Sequence, residues 1–176
     1  MKRFALLSVI LVATCVVAMA QPRAIGGRFA WGIGPSYQHG FGEKNMLQAD
    51  LDLLGYGWWG IQGTVTYNWI FPISSWSHAG SWNWYAGVGA GAGYEWWGGG
   101  VYTWTYTGRP RTGWGGGFVG VAGMIGVEYN FNFPLQLSFD WRPVIGPGFS
   151  RYGGRVYFFD HGLYAGAIAL AARYKF

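Results

Sequence analysis

Along "LQLSFDWR" the side chains alternate without a break: Leu135, Leu137, Phe139 and Trp141 share one parity, and Gln136, Ser138, Asp140 and Arg142 share the other. Successive side chains of an extended strand point to opposite faces, so the segment predicts a strand with one apolar and one polar face. The period recurs. "WNWYAGVGAGAGYEW" sets Trp82, Trp84, Ala86, Val88, Ala90, Ala92, Tyr94 and Trp96 against Asn83, Tyr85, four glycines and Glu95. "WGIQGTVTYNW" sets Trp59, Ile61, Val65, Tyr67 and Trp69 against Gln62, Thr64, Thr66 and Asn68. In "LQADLDL", Leu47, Ala49, Leu51 and Leu53 oppose Gln48, Asp50 and Asp52. "VGVAGMIGVEY" opposes Val119, Val121, Ile125, Val127 and Tyr129 to Met124 and Glu128. The final segment opposes Tyr164, Ile168, Leu170, Ala172, Tyr174 and Phe176 to Arg173 and Lys175.

Two weaker segments, "AIGGRFAW" (Ile25, Phe29 and Trp31 against Arg28) and "GPSYQ" (Tyr37 against Ser36 and Gln38), bring the expected total to eight strands. A turn at Gly32 to Gly34 would join these two; seven strands is the alternative, if they form one long strand. The apolar face of 82–96 has aromatics at both ends and small residues between, the pattern of two interfacial girdles flanking a lipid band. Alternation with aromatics this heavy predicts an all-β fold: a transmembrane antiparallel up-and-down β-barrel of about eight strands.

Composition narrows the class. Glycine is 32 of 176 residues and aromatics are 20%, while charged residues are only 11%, well below the roughly 25% of soluble domains. No apolar run after Gln21 approaches the roughly 20 residues of a membrane helix. The first twenty residues differ from the rest: Met1-Lys2-Arg3, then "FALLSVILVATCVVAMA", ending on Ala18-Met19-Ala20. A charged start, an apolar stretch and an Ala-x-Ala site predict a cleaved secretory signal peptide over 1–20, with the barrel at 21–176. A membrane anchor and lipoprotein processing at Cys15 are the alternatives. Cys15 is the single cysteine, so the mature chain is expected to have no disulfide and no thiolate chemistry. Twelve Lys and Arg, less Lys2 and Arg3, against seven acids leave a charge near +3. With no compact Lys/Arg cluster, that does not point to nucleic acid.

Both termini of an outer-membrane barrel lie in the periplasm, with short turns there and longer loops outside. Counting back from Phe176 makes 143–160 and 97–116 outer loops, and 130–134, 72–81 and 40–45 periplasmic turns. The outer loops hold Arg109, Arg111, Arg151 and Arg155 beside Tyr102, Trp104, Tyr106, Trp114, Tyr152, Tyr157 and Phe158. They would fold on themselves or meet lipopolysaccharide phosphates. The sharper reading is a surface for a protein or glycan, since aromatics with arginine suit interface hot spots.

The polar face should line the bore, and in an eight-stranded barrel the bore is just wide enough for side chains to fill. Arg28, Asp50, Asp52, Glu95, Glu128, Asp140, Arg142, Arg173 and Lys175 are the expected inward charges. Such charges should pair, because an isolated buried charge is very costly. A closed polar plug is therefore the expectation, with a narrow ion path as the alternative that the inward glycines of 82–96 keep open. Catalysis has thin support: Asp160-His161 with Ser150 is the one Ser-His-acid set that can be assembled, as in outer-membrane lipid A deacylases, and it needs His and Ser facing lipid on neighbouring strands. No metal-ligand spacing stands out beyond Asp160-His161, and "GWGGGF" and "WWGGGV" lack what a phosphate cradle needs. The expectation is a non-enzymatic protein with no cofactor and no metal.

The chain after residue 20 resembles the small eight-stranded outer-membrane proteins of the OmpA/OmpX-like barrel class. "GVEYNFNFPLQLSFDWRP" and the terminal "ARYKF" look most like versions from Bacteroidetes-type bacteria. The resemblance implies a monomeric barrel in the bacterial outer membrane, with a role in envelope structure or surface interaction. It implies recognition by the barrel assembly machinery through the last strand, here Tyr174 and Phe176. The peptidoglycan-binding domain of full-length OmpA proteins has no counterpart, so wall anchoring is not expected. Fold alone does not give function in this class.

Overall fold

The computed structural model describes residues 21–30, 32–54, 60–76, 79–96, 116–150, 156–161 and 167–176. Ten strands follow in chain order: β1 (Gln21–Phe29), β2 (Gly32–Phe41), β3 (Asn45–Leu54), β4 (Gly60–Ile73), β5 (Gly80–Glu95), β6 (Gly116–Phe131), β7 (Leu135–Trp141), β8 (Val144–Ser150), β9 (Val156–His161) and β10 (Ile168–Lys175). All pairings are antiparallel.

The ten strands make eight staves. β7 and β8 both pair with β6 in one unbroken register, Ile125 opposite Trp141 and Ala122 opposite Val144. They are one stave, interrupted at Arg142 and Pro143, where proline has no N–H for the ladder. β9 and β10 flank that stave as the last one, with Ile168 opposite Trp141 and His161 opposite Val144. β1 and β2 are separate strands, which removes the seven-strand alternative.

β1 pairs with β10 and closes the sheet into a barrel. The closure is staggered. From Phe29 one route runs through Ile33, Leu53, Ile61 and Tyr94 to Gly117 of β6. The other runs through Leu170 and Phe139 to Val127, ten residues further along the same strand. Eight staves with a stagger of ten, at ~3.3 Å per residue and ~4.8 Å between strands, set a tilt of about 40°.

Two expectations need correcting. The first hairpin turns between Phe29 and Gly32, and Gly32 and Gly34 already belong to β2. The stretch 143–160, expected as an outer loop, is mostly hairpin: β8 and β9 carry the wall onward, from Val144 opposite His161 to Phe149 opposite Val156. Gly146, Pro147 and Gly148 spoil the alternation in sequence, yet the backbone pairs through them. The turns at the other end are as expected: Gly42, at φ 69°, takes the left-handed turn position between β2 and β3, and only 132–134 separate β6 from β7. The segment 1–20, residues 97–115 and residues 151–155 lie outside the described residues.

Candidate functional site

Among the described residues, chemistry-bearing side chains converge in the bore. Arg28, Asp50, Asp52, Glu128, Asp140, Arg142 and Arg173, all expected inward, are each no more than 4% exposed. Opposite parities face out: Ile25, Phe29, Leu51, Val65, Val88, Val121, Leu137, Phe139 and Leu170 are exposed.

At mid-height lies a chain of ion pairs. Arg28 donates to Asp140 at 2.8 Å and to Asp52 at 3.2 Å. Arg142 donates to Asp50 at 2.6 Å, to Asp52 and to the Thr64 hydroxyl. Asp52 therefore accepts from two guanidinium groups on different strands. Tyr85 caps the group, its hydroxyl donating to Asp140 at 3.2 Å.

From Asp50 the network runs toward the short-turn end. Gln48 donates to Asp50 and Gln38 donates to Gln48, both at 2.9 Å. Arg23 donates to Gln38 at 2.9 Å and forms an ion pair with Glu128. Glu128 also accepts from Asn83, Asn130 and Gln136. Arg173 donates to Ser36 at 2.9 Å, Ser138 at 2.7 Å and Gln136 at 3.3 Å, but has no carboxylate partner among the described residues.

Pairing is thus less complete than the sequence suggested. Arg173 is held by hydroxyls and an amide, and the ammonium of Lys175 donates to the Phe131 carbonyl at 2.6 Å. Half-buried Glu95, at the far end of β5, has no polar partner among the described residues. Conversely, Arg23 was missed. It sits at the bulge where the β1–β2 register slips between Pro22 and Ala24, so period two does not place it.

Several inward glycines have neighbours packed close against them. A Cβ on Gly93 would collide with the Phe118 ring, one on Gly126 with Tyr85 and Asp140 at 2.7 Å, and one on Gly91 with Thr64 and Val144. Gly91, Gly93 and Gly126 are thus each matched by a larger side chain from another strand. Phe118, Ala122 and Val144 pack together beyond the ion pairs, and Met46, Ile70, Tyr85 and Met124 pack within the short-turn half.

Outside, rings touch in series around the short-turn end: Tyr37–His39–Phe41–Tyr67–Trp69, Phe71–Trp84, Trp76–Trp82–Tyr129–Phe131–Phe133 and Tyr174–Phe176, with centroids 4.2 to 6.1 Å apart. On β5, Trp84 and Tyr94 bracket a band of small residues ten positions long. At the tilt above, that band is about 25 Å tall, the height of the apolar belt of outer-membrane barrels.

The weaker candidates stand as follows. Ser150 lies at the tip of the β8–β9 hairpin and His161 at its base opposite Val144, about 20 Å apart along the strands. Among the described residues no three of His, Cys, Asp and Glu are grouped to hold a metal ion. Tyr102, Trp104, Tyr106, Arg109, Arg111, Arg151 and Arg155 lie outside the described residues. Compared with known proteins, the chain matches no family model, no curated protein and no solved structure.

Proposed function

We propose that the chain is an integral barrel of the bacterial outer membrane. It serves envelope structure and presents residues 97–116 and the tip of the β8–β9 hairpin to the outside, without catalysis, cofactor or metal. The observation that carries this reading is the inversion of the molecule: amides and ion pairs fill the inside, and large apolar side chains cover the outside. No outward position of β1 to β8 or of β10 between the girdles carries a charge, where one would cost about 2–4 kcal/mol at the bilayer midplane; Asp160 of β9, paired with Ile145, takes an outward register position. A polar bore rules out the ordinary logic of a soluble core, which puts the apolar face inward.

The finer assignments follow from the resemblance and the sequence. The segment 1–20 exports the chain and is removed. The arginines of the outer connections meet lipopolysaccharide phosphates, and their aromatic neighbours offer a surface to a protein or glycan. The barrel is a monomer. Tyr174 and Phe176, exposed side by side at the end of β10, are the address read by the assembly machinery; deleting Phe176 should lower membrane levels several-fold while barely moving the unfolding midpoint of what does assemble. Normal levels of the truncated protein would remove that role.

The test of the whole reading has three arms. The protein should fractionate with the outer membrane, and in planar bilayers it should give no steady conductance. Steady channels would replace this reading with a small pore. Lipid A acyl chains should be the same in cells with and without the gene; a difference restored by wild type but not by His161→Ala would replace it with a lipid-modifying enzyme.

A further inference from the structure

The inward charges are sorted by strand. β1 and β10, the first and last strands, meet at the seam and bear Arg23, Arg28, Arg173 and Lys175 with no Asp or Glu. The wall from β3 to the β7 stave bears Asp50, Asp52, Glu95, Glu128 and Asp140 with Arg142. Four positive charges on the seam strands thus face a net four negative charges on the wall.

The seam ladder is short. It runs from Ala24 opposite Lys175 to Phe29 opposite Leu170, whereas the β5–β6 ladder runs from Gly80 opposite Phe131 to Glu95 opposite Gly116. The seam arginines instead reach across the bore. Arg28 ties β1 to β3 and β7 through Asp52 and Asp140. Arg23 ties β1 to β6 through Glu128, and Arg173 ties β10 to β2 through Ser36 at 2.9 Å. Most of these bonds exist only once the sheet has curled shut.

We propose that this sorting is a closing device: the acidic inner wall draws the cationic β1 and β10 strands inward, and the resulting ion pairs lock the seam. Before closure both faces are in water, where attraction acts over the ~10 Å Debye length at 0.1 M salt. After closure the pairs are buried and salt no longer reaches them. Salt should therefore slow closing far more than it speeds opening. The inference rests on the barrel closure alone, not on where the barrel resides.

The experiment uses protein purified from cells, unfolded in urea and diluted into zwitterionic micelles. Closing is followed by a short bis-maleimide cross-link between Gly27→Cys and Ala172→Cys, which are paired across the seam, in a Cys15→Ser background. The wild-type inner face should close about 5-fold more slowly in 500 mM than in 10 mM NaCl, with its opening rate changed less than about 2-fold. Arg28→Gln with Arg173→Gln should close at least about 5-fold more slowly at low salt and lose most of the salt dependence. Lys175→Gln, which leaves no buried carboxylate unpaired, is the mild variant should the double one not fold, and should slow low-salt closing about 2-fold. Closing insensitive to salt, or Lys175→Gln closing as fast as wild type, would overturn the device. Loss of outer-membrane fractionation with normal closing in micelles would strike only the functional reading.

Discussion

The two halves of the bore solve the same packing problem with different chemistry. Toward the short turns amides and charges surround the Met46, Ile70, Tyr85 and Met124 cluster: Gln38, Gln48 and Gln136 are fully buried, and Glu128 collects donors from three side chains besides Arg23. Toward the long connections it is taken by Phe118, Ala122, Val144 and Leu54, fitted against glycines. The ion pairs of Arg28 and Arg142 form the boundary. A polar half held by many directional bonds fixes strand register, because a slip would orphan several groups at once. An apolar half excludes water without needing partners. The barrel therefore has one half that specifies and one half that seals.

The sharpest way to break this division is at the boundary. Asp52→Ala removes the carboxylate that joins Arg28 to Arg142, leaving both buried guanidinium groups short of an acceptor. Breaking a buried pair by removing one partner costs about 3–5 kcal/mol. The lower end applies, since Asp140 and Asp50 remain. The urea midpoint in micelles should drop accordingly; a shift worth under about 1 kcal/mol would mean the boundary is not a joint.

Both faces of most staves were legible before any coordinates, and the reason is local. From Leu135 to Trp141 each residue reports its side by parity alone, and seven of the nine inward charges that the period identified, all but Glu95 and Lys175, are buried in the bore. Partners were not legible, because they depend on the stagger of ten residues, which no strand carries by itself. Arg28 finds Asp140 only because the first and last staves meet in that register. Arg23 escaped because a bulge breaks parity one residue before the regular pattern starts. Glycine is ambiguous for a related reason: at Gly93 the pattern shows a missing side chain, but the Phe118 ring beside it comes from β6.

In the sealing half the largest expected effect is that of Phe118→Ala. Gly93 beside it has nothing to move into the gap, so the cavity persists and the cost should lie within about 3–5 kcal/mol, the range for phenylalanine truncation. Conductance should nevertheless stay absent, since the ion pairs below are untouched. If steady current appears with Phe118→Ala alone, the apolar half is the only seal and the polar half conducts.

The finest comparison makes one substitution in both halves. Glu128→Gln in the polar half withdraws charge from four donors at a fully buried site. Hydrogen bonds to charged groups are worth about 1.5–3 kcal/mol, and Arg23 can turn partly to water, so a loss near 2 kcal/mol is expected. Glu95→Gln in the sealing half removes a half-buried charge that has no polar partner among the described residues. Only desolvation is relieved there, and the change should be neutral or stabilising by less than about 1 kcal/mol. Opposite signs for the same atom replacement would show that each half sets its own rule for charge. Equal losses would mean that Glu95 is held by a bond made outside the described residues, and the sealing half would then be polar at its rim.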